Sequence, residues 1–97
     1  NLSEVASHYR SGENESAKKL INQTYMQRFE GIEGDLIERD ADLVSDLEED
    51  FNATLPLLIE KEAAPEKVEA QIETMNAKLD RAQTLLDEAA QEQSSVF

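Results

Sequence analysis

Apolar residues recur at three- and four-residue intervals along almost the whole chain, the spacing that puts side chains on one face of an α-helix. Leu2, Val5, Ala6 and Tyr9 predict a short first helix, with Gly12 just beyond it as a stop. From Asn14, read as an N-cap, Ala17, Leu20, Ile21, Tyr25, Phe29, Ile32 and Leu36 carry a second helix to Arg39. Gly31 and Gly34 fall in its interior, where each is about 1 kcal/mol worse than alanine, so a kink or break is expected there. A third helix runs from Asp42 to Glu62 with Leu43, Val44, Leu47, Phe51, Leu55, Leu58 and Ile59 inward. Pro56 interrupts it, removing one backbone donor and crowding the turn before it, which predicts a kink. Pro65 opens a fourth helix, and Val68, Ile72, Met75, Leu79, Ala82, Leu86 and Ala89 alternate steps of four and three, a heptad seam over residues 65–91. The polar tail from Gln91 to Phe97 carries no stop signal.

Only 3 glycines and 2 prolines interrupt this pattern, and β-branched residues are scattered singly. The fold class is therefore expected to be all-α. Short connections force successive helices to run antiparallel, which predicts an up-down antiparallel helical bundle of three long helices plus a short N-terminal helix, one domain over residues 1–97.

Composition narrows what such a bundle does. A chain of 97 residues holds one modest core and leaves no room for a deep catalytic cleft. With no cysteine and one histidine, thiolate and histidine-rich metal sites are excluded, and any metal chemistry falls to oxygen ligands. The net charge of −13 repels phosphate backbones and anionic headgroups, so neither nucleic acid nor a membrane surface is an expected partner. No apolar stretch approaches the roughly 18 residues of a membrane span, and no nucleophile with a base, phosphate-binding glycine loop or calcium loop is present. The reading is non-enzymatic.

Four of the five asparagines, Asn1, Asn14, Asn22 and Asn52, begin Asn-x-Ser/Thr triplets. Chance satisfies that rule about once in nine asparagines at this Ser and Thr content, so the enrichment points to an extracytoplasmic, glycosylated domain. Helix capping alone accounts for Asn1 and Asn14 but not for Asn22 or Asn52. The first residue is Asn rather than Met, and the domain is expected to have been excised from a larger membrane protein.

At 100° per residue the second helix carries a second stripe beside its core face: Met26, Glu30, Glu33 and Ile37. Two carboxylates one turn apart can share one hard cation, and because such a cation takes roughly six oxygens a neighbouring helix must contribute. Glu48 and Glu49 are the nearest candidates by register. A di-iron bundle would need Glu-x-x-His pairs, and His8 stands outside that spacing. The plainer reading is that Glu30 and Glu33 are two of 22 acids on a solvated surface, that Tyr25 and Phe29 are core, and that Asp40, Asp42, Asp46, Glu48, Glu49 and Asp50 form a solvated acidic face.

The run Tyr9-x-x-Gly12, Ala17, Tyr25-x-x-x-Phe29-Glu30-x-x-Glu33 and Asp42-x-x-x-x-Leu47-Glu48-x-x-Phe51 resembles the extracytoplasmic helical domain of prokaryotic high-affinity iron (iron/lead) permeases, over roughly Val5 to Ala89. The resemblance implies a transmembrane permease domain elsewhere in the same chain, with Arg-Glu-x-x-Glu motifs this sequence lacks. It implies iron or another hard cation as cargo, and Phe29, Glu30, Glu33 and Glu48 as the matching residues. The family often has proline after the first glutamate, where this chain has Gly31. Two functions follow. One is an accessory domain of a metal permease that binds or delivers iron through the carboxylates. The other is an extracytoplasmic sensor or spacer bundle that mediates protein-protein interaction, as a homodimer through residues 65–91.

Overall fold

The structure is a computed structural model that describes residues 2–94, with side chains through residue 92. Among the described residues it is helical with no strand: α1 (Ser3–Arg10), α2 (Asn14–Thr24), a π-turn π1 (Tyr25–Phe29), α3 (Glu33–Ile37), α4 (Ala41–Glu49), a second π-turn π2 (Asp50–Thr54), α5 (Leu55–Glu60) and α6 (Pro65–Ser94). The all-α expectation holds. Each of the two central helices expected from the spacing is instead a composite with a π-turn inside it.

Helix ends follow local chemistry. Gly12, at φ 79°, closes α1 in the left-handed conformation, and the Glu13 N–H donates back to the His8 carbonyl at 2.9 Å. Asn14 is not the cap of α2 but its first residue, preceded by Glu13, which makes no side-chain capping bond. Asp40 caps α4, its Oδ1 accepting from the Leu43 N–H at 3.0 Å. α5 ends in the same motif as α1, but here Glu62 holds the left-handed position at φ 55°.

Pro56 explains π2. Its ring cannot donate to the Asn52 carbonyl and would clash with it in a regular α-helix; widening the preceding turn relieves the contact, and the Leu55 N–H bonds the Asp50 carbonyl. The expected kink is thus a π-turn. In the second helix the predicted break falls at Glu30–Ile32, after the Glu30 N–H has closed π1 on the Tyr25 carbonyl at 2.9 Å.

The chain then reverses at Asp40. Lys18 Nζ bonds Glu60 at 3.2 Å across the two arms, and Phe29 and Phe51, each eleven residues from Asp40, pack with ring centroids 6.0 Å apart. α6 returns along α4: Arg39 donates to Glu92 at 2.8 Å near one end, and Lys78 to Asp50 at 2.7 Å further along. Tyr9 donates its hydroxyl to the Ala63 carbonyl and Arg10 meets Glu69, which pin α1 beside the start of α6. The core is continuous from Leu2 and Val5 through Ile21, Phe29, Leu47, Phe51 and Leu55 to Val68, Met75 and Ala82. Helix α6 therefore spends the upper part of its heptad seam on its own bundle. The whole measures 53 × 20 × 20 Å. No described helix is long and apolar enough to cross a membrane.

Candidate functional site

π1 and π2 face each other through aromatic rings: Tyr25 lies 5.6 Å from both Phe29 and Phe51, centroid to centroid. The π-turns put these rings together because each adds a residue to its helix, so that Phe29 and Phe51 stay on the inner face. Phe29 and Phe51 are buried, whereas Tyr25 is half-buried with its phenol near Asn52.

Around that phenol stand the three carboxylates singled out from the sequence. Glu30 follows π1 directly and is exposed; Glu33 opens α3 and Glu48 lies near the end of α4, both half-buried. Asp40 lies seven residues after Glu33 and eight before Glu48, so the two antiparallel arms bring the acids level. The Glu33 pKa is raised above the ordinary carboxylate value, first by the neighbouring Glu48 carboxylate as an acceptor for its proton, then by partial burial and by the negative charges of Glu48 and Glu30. Burial raises the Tyr25 phenol, Asn52 pulls it down, and the charges of Glu33, Glu48 and Glu30 raise it further. Glu33 therefore holds its proton more tightly than an isolated carboxyl would.

Glu49 is exposed. Among the described residues no group of three or more His, Asp or Glu side chains is arranged to hold a metal ion: Glu33 and Glu48 meet, and Glu30 acts on them through its charge. His8 lies in the last turn of α1, its Nδ1 3.0 Å from Glu13.

Asp50 corrects the reading of a solvated acidic face. It is 7% exposed and accepts from Lys78 Nζ at 2.7 Å and Gln71 Nε2 at 3.1 Å, tying π2 to α6. The signal was present, since Leu43, Leu47 and Asp50 fall at i, i+4 and i+7 on one face. Tyr25 and Asn52, read as core and as a sequon, likewise belong to the site.

No family model, curated protein or solved structure matches the chain.

Of the sequon asparagines, Asn1 lies outside the described residues. Asn14 is half-buried at the start of α2, while Asn22 and Asn52 are exposed, one on α2 and one in π2. A glycan on Asn52 would occupy the side chain that stands near the Tyr25 phenol.

Proposed function

We propose that this chain is a non-enzymatic extracytoplasmic domain of a membrane transporter resembling the iron permeases, and that it captures a hard cation, iron foremost, through Glu30, Glu33 and Glu48 for delivery to the permease domain. In this reading the six helices form an up-down antiparallel bundle whose three long arms are α2–α3, α4–α5 and α6. The observation that supports it is the meeting of Glu33 and Glu48 from two different helices, beside Glu30 and the Tyr25 phenol, in an all-oxygen donor set suited to hard cations. Capture requires Glu33 to lose its proton and the exposed Glu30 side chain to swing in, so binding strengthens as pH rises.

The test is thermal unfolding of the chelator-treated domain with ferrous, ferric, calcium and magnesium ions, for wild type and Glu30→Ala/Glu33→Ala. A ligand specific for the folded state at a hundredfold excess over its Kd adds about 2.7 kcal/mol, on the order of 10 °C for a domain this size. A rise with iron that vanishes in the double variant supports the reading; equal small rises with every divalent ion, unchanged by the variant, refute it.

The alternative, a sensor or spacer bundle, draws on Met26, 60% exposed, and Ile37, 50% exposed, which leave apolar surface beside the acids. With Val68, Ile72, Met75 and Ala82 buried in the bundle, a homodimer through residues 65–91 would have to use another face of α6. Sedimentation equilibrium tests the homodimer of the alternative, which requires self-association of the chain, whereas cation capture does not.

A further inference from the structure

Between π1 and α6 lies a half-open hollow of about 510 Å³, at the Leu2 end of α1. Its size falls within the roughly 300–1,000 Å³ of small-molecule sites. The hollow exists because α2 packs on α1 and α5, while α6 packs on α1, α3, α4 and α5, so the two walls are held apart by the elements between them. Leu2, Ile32 and Leu79 supply apolar surface, and Arg28 and Asp80 supply opposite charges from opposite walls.

Those two charges are left open. Arg28 makes no hydrogen bond or ion pair among the described residues, in a chain where acids outnumber bases 22 to 9. The Asp80 carboxylate is also unpaired, and its neighbour Arg81 turns instead to Asp40, 4.0 Å away. Arg28 and Asp80 face one hollow without pairing with each other. A ligand with one charge satisfies only one wall. An anion must also enter against the −13 field, and a cation is drawn to every part of the surface alike.

We infer that this hollow binds a small zwitterion, a free amino acid with an apolar side chain. The Arg28 guanidinium takes the carboxylate, for which its planar fork is suited; Asp80 takes the ammonium group, and Leu2, Ile32 and Leu79 take the side chain. Having no net charge, such a ligand is indifferent to the overall field and is selected by the two walls. The site is separate from the carboxylate cluster and stands or falls without it.

The test is calorimetric titration of the 97-residue chain with L-leucine, and with isocaproate and isoamylamine, which lack the ammonium and the carboxylate respectively. The expected result is saturable L-leucine binding, with each half-ligand at least about tenfold weaker and Arg28→Gln or Asp80→Asn weakening L-leucine by about tenfold or more. Both side chains are exposed, so the variants should keep the helical circular dichroism of the wild type. Amide shifts on titrating the wild-type chain give a readout that needs no variant, and they should concentrate at Ile32, Asn76 and Leu79. No saturable binding of L-leucine, binding equalled by isoamylamine, or amide shifts away from this hollow would each overturn the assignment.

Discussion

Glu62 occupies a conformation that an L side chain enters at a penalty of roughly 1–2 kcal/mol. Its backbone nonetheless closes α5, since the Ala63 N–H reaches the Leu58 carbonyl at 3.0 Å and the Glu62 N–H the Ile59 carbonyl at 3.1 Å. Glu62→Gly should keep the turn, relieve the strain and stabilise the domain by about 1 kcal/mol, read as a higher urea midpoint at unchanged slope. Glu33 gives a pH prediction. Its pKa is raised in the folded state, so its contribution to stability is fully present below the unfolded carboxylate value and is lost as pH rises through the folded one. Glu33→Gln removes that dependence. Urea unfolding between about pH 4 and about pH 7 should show the variant gaining on the wild type as pH rises. Glu69 and Glu92 act in the opposite sense, since their hydrogen bonds with Arg10 and Arg39 lower their pKa values, and acid removes what they contribute.

At the scale of the element, two kinds of helix are distinguished by one pattern. A four-residue step overshoots a full α-helical turn by about 40°, so alternating fours and threes hold a straight seam while repeated fours drift. α6 alternates and is α-helical throughout. Ala17, Ile21, Tyr25 and Phe29 run in fours, as do Leu43, Leu47, Phe51, Leu55 and Ile59, and each run contains a π-turn that takes up the drift. The π-turns are thus legible in the runs of fours rather than in the proline and the glycines, which predict kinks. π2 is anchored by Asp50 to Lys78, a pair whose side chains are 10% and 26% exposed. Lys78→Ala leaves the carboxylate with Gln71 alone and should destabilise by about 2 kcal/mol, below the roughly 3–5 kcal/mol of a fully buried pair. Lys18→Ala, which breaks a more exposed pair with Glu60, should change stability by less than about 1 kcal/mol in the same denaturation series.

For the whole molecule, shape and charge dominate. A Cα radius of gyration of 14.9 Å exceeds the roughly 12–13 Å of a compact chain this long, because α6 alone extends for 30 residues and the other elements lie along it. A −13 charge spread along such a rod repels itself. Raising salt from about 0.01 M to about 0.15 M shortens the screening length from about 30 Å to about 8 Å, and the thermal midpoint should rise, equally for sodium and choline chloride. A fall would mean that surface pairs such as Arg39 with Glu92 outweigh the repulsion.

Periodicity determined that the chain is helical, which residues turn inward, where α1 begins and ends and where α4 and α6 begin within a residue or two, and that the chain breaks around Asp40, between Glu33 and Glu48. These properties depend only on a residue's neighbours within a turn or two of its own helix. Tertiary packing decided the rest: that Glu48 comes close enough to Glu33 to raise its pKa, that Asp50 is buried under α6 rather than solvated, and that Arg28 faces Asp80 across a hollow. Contacts between helices depend on the rotation of each helix about its axis, and one extra residue in a π-turn resets that rotation for everything downstream.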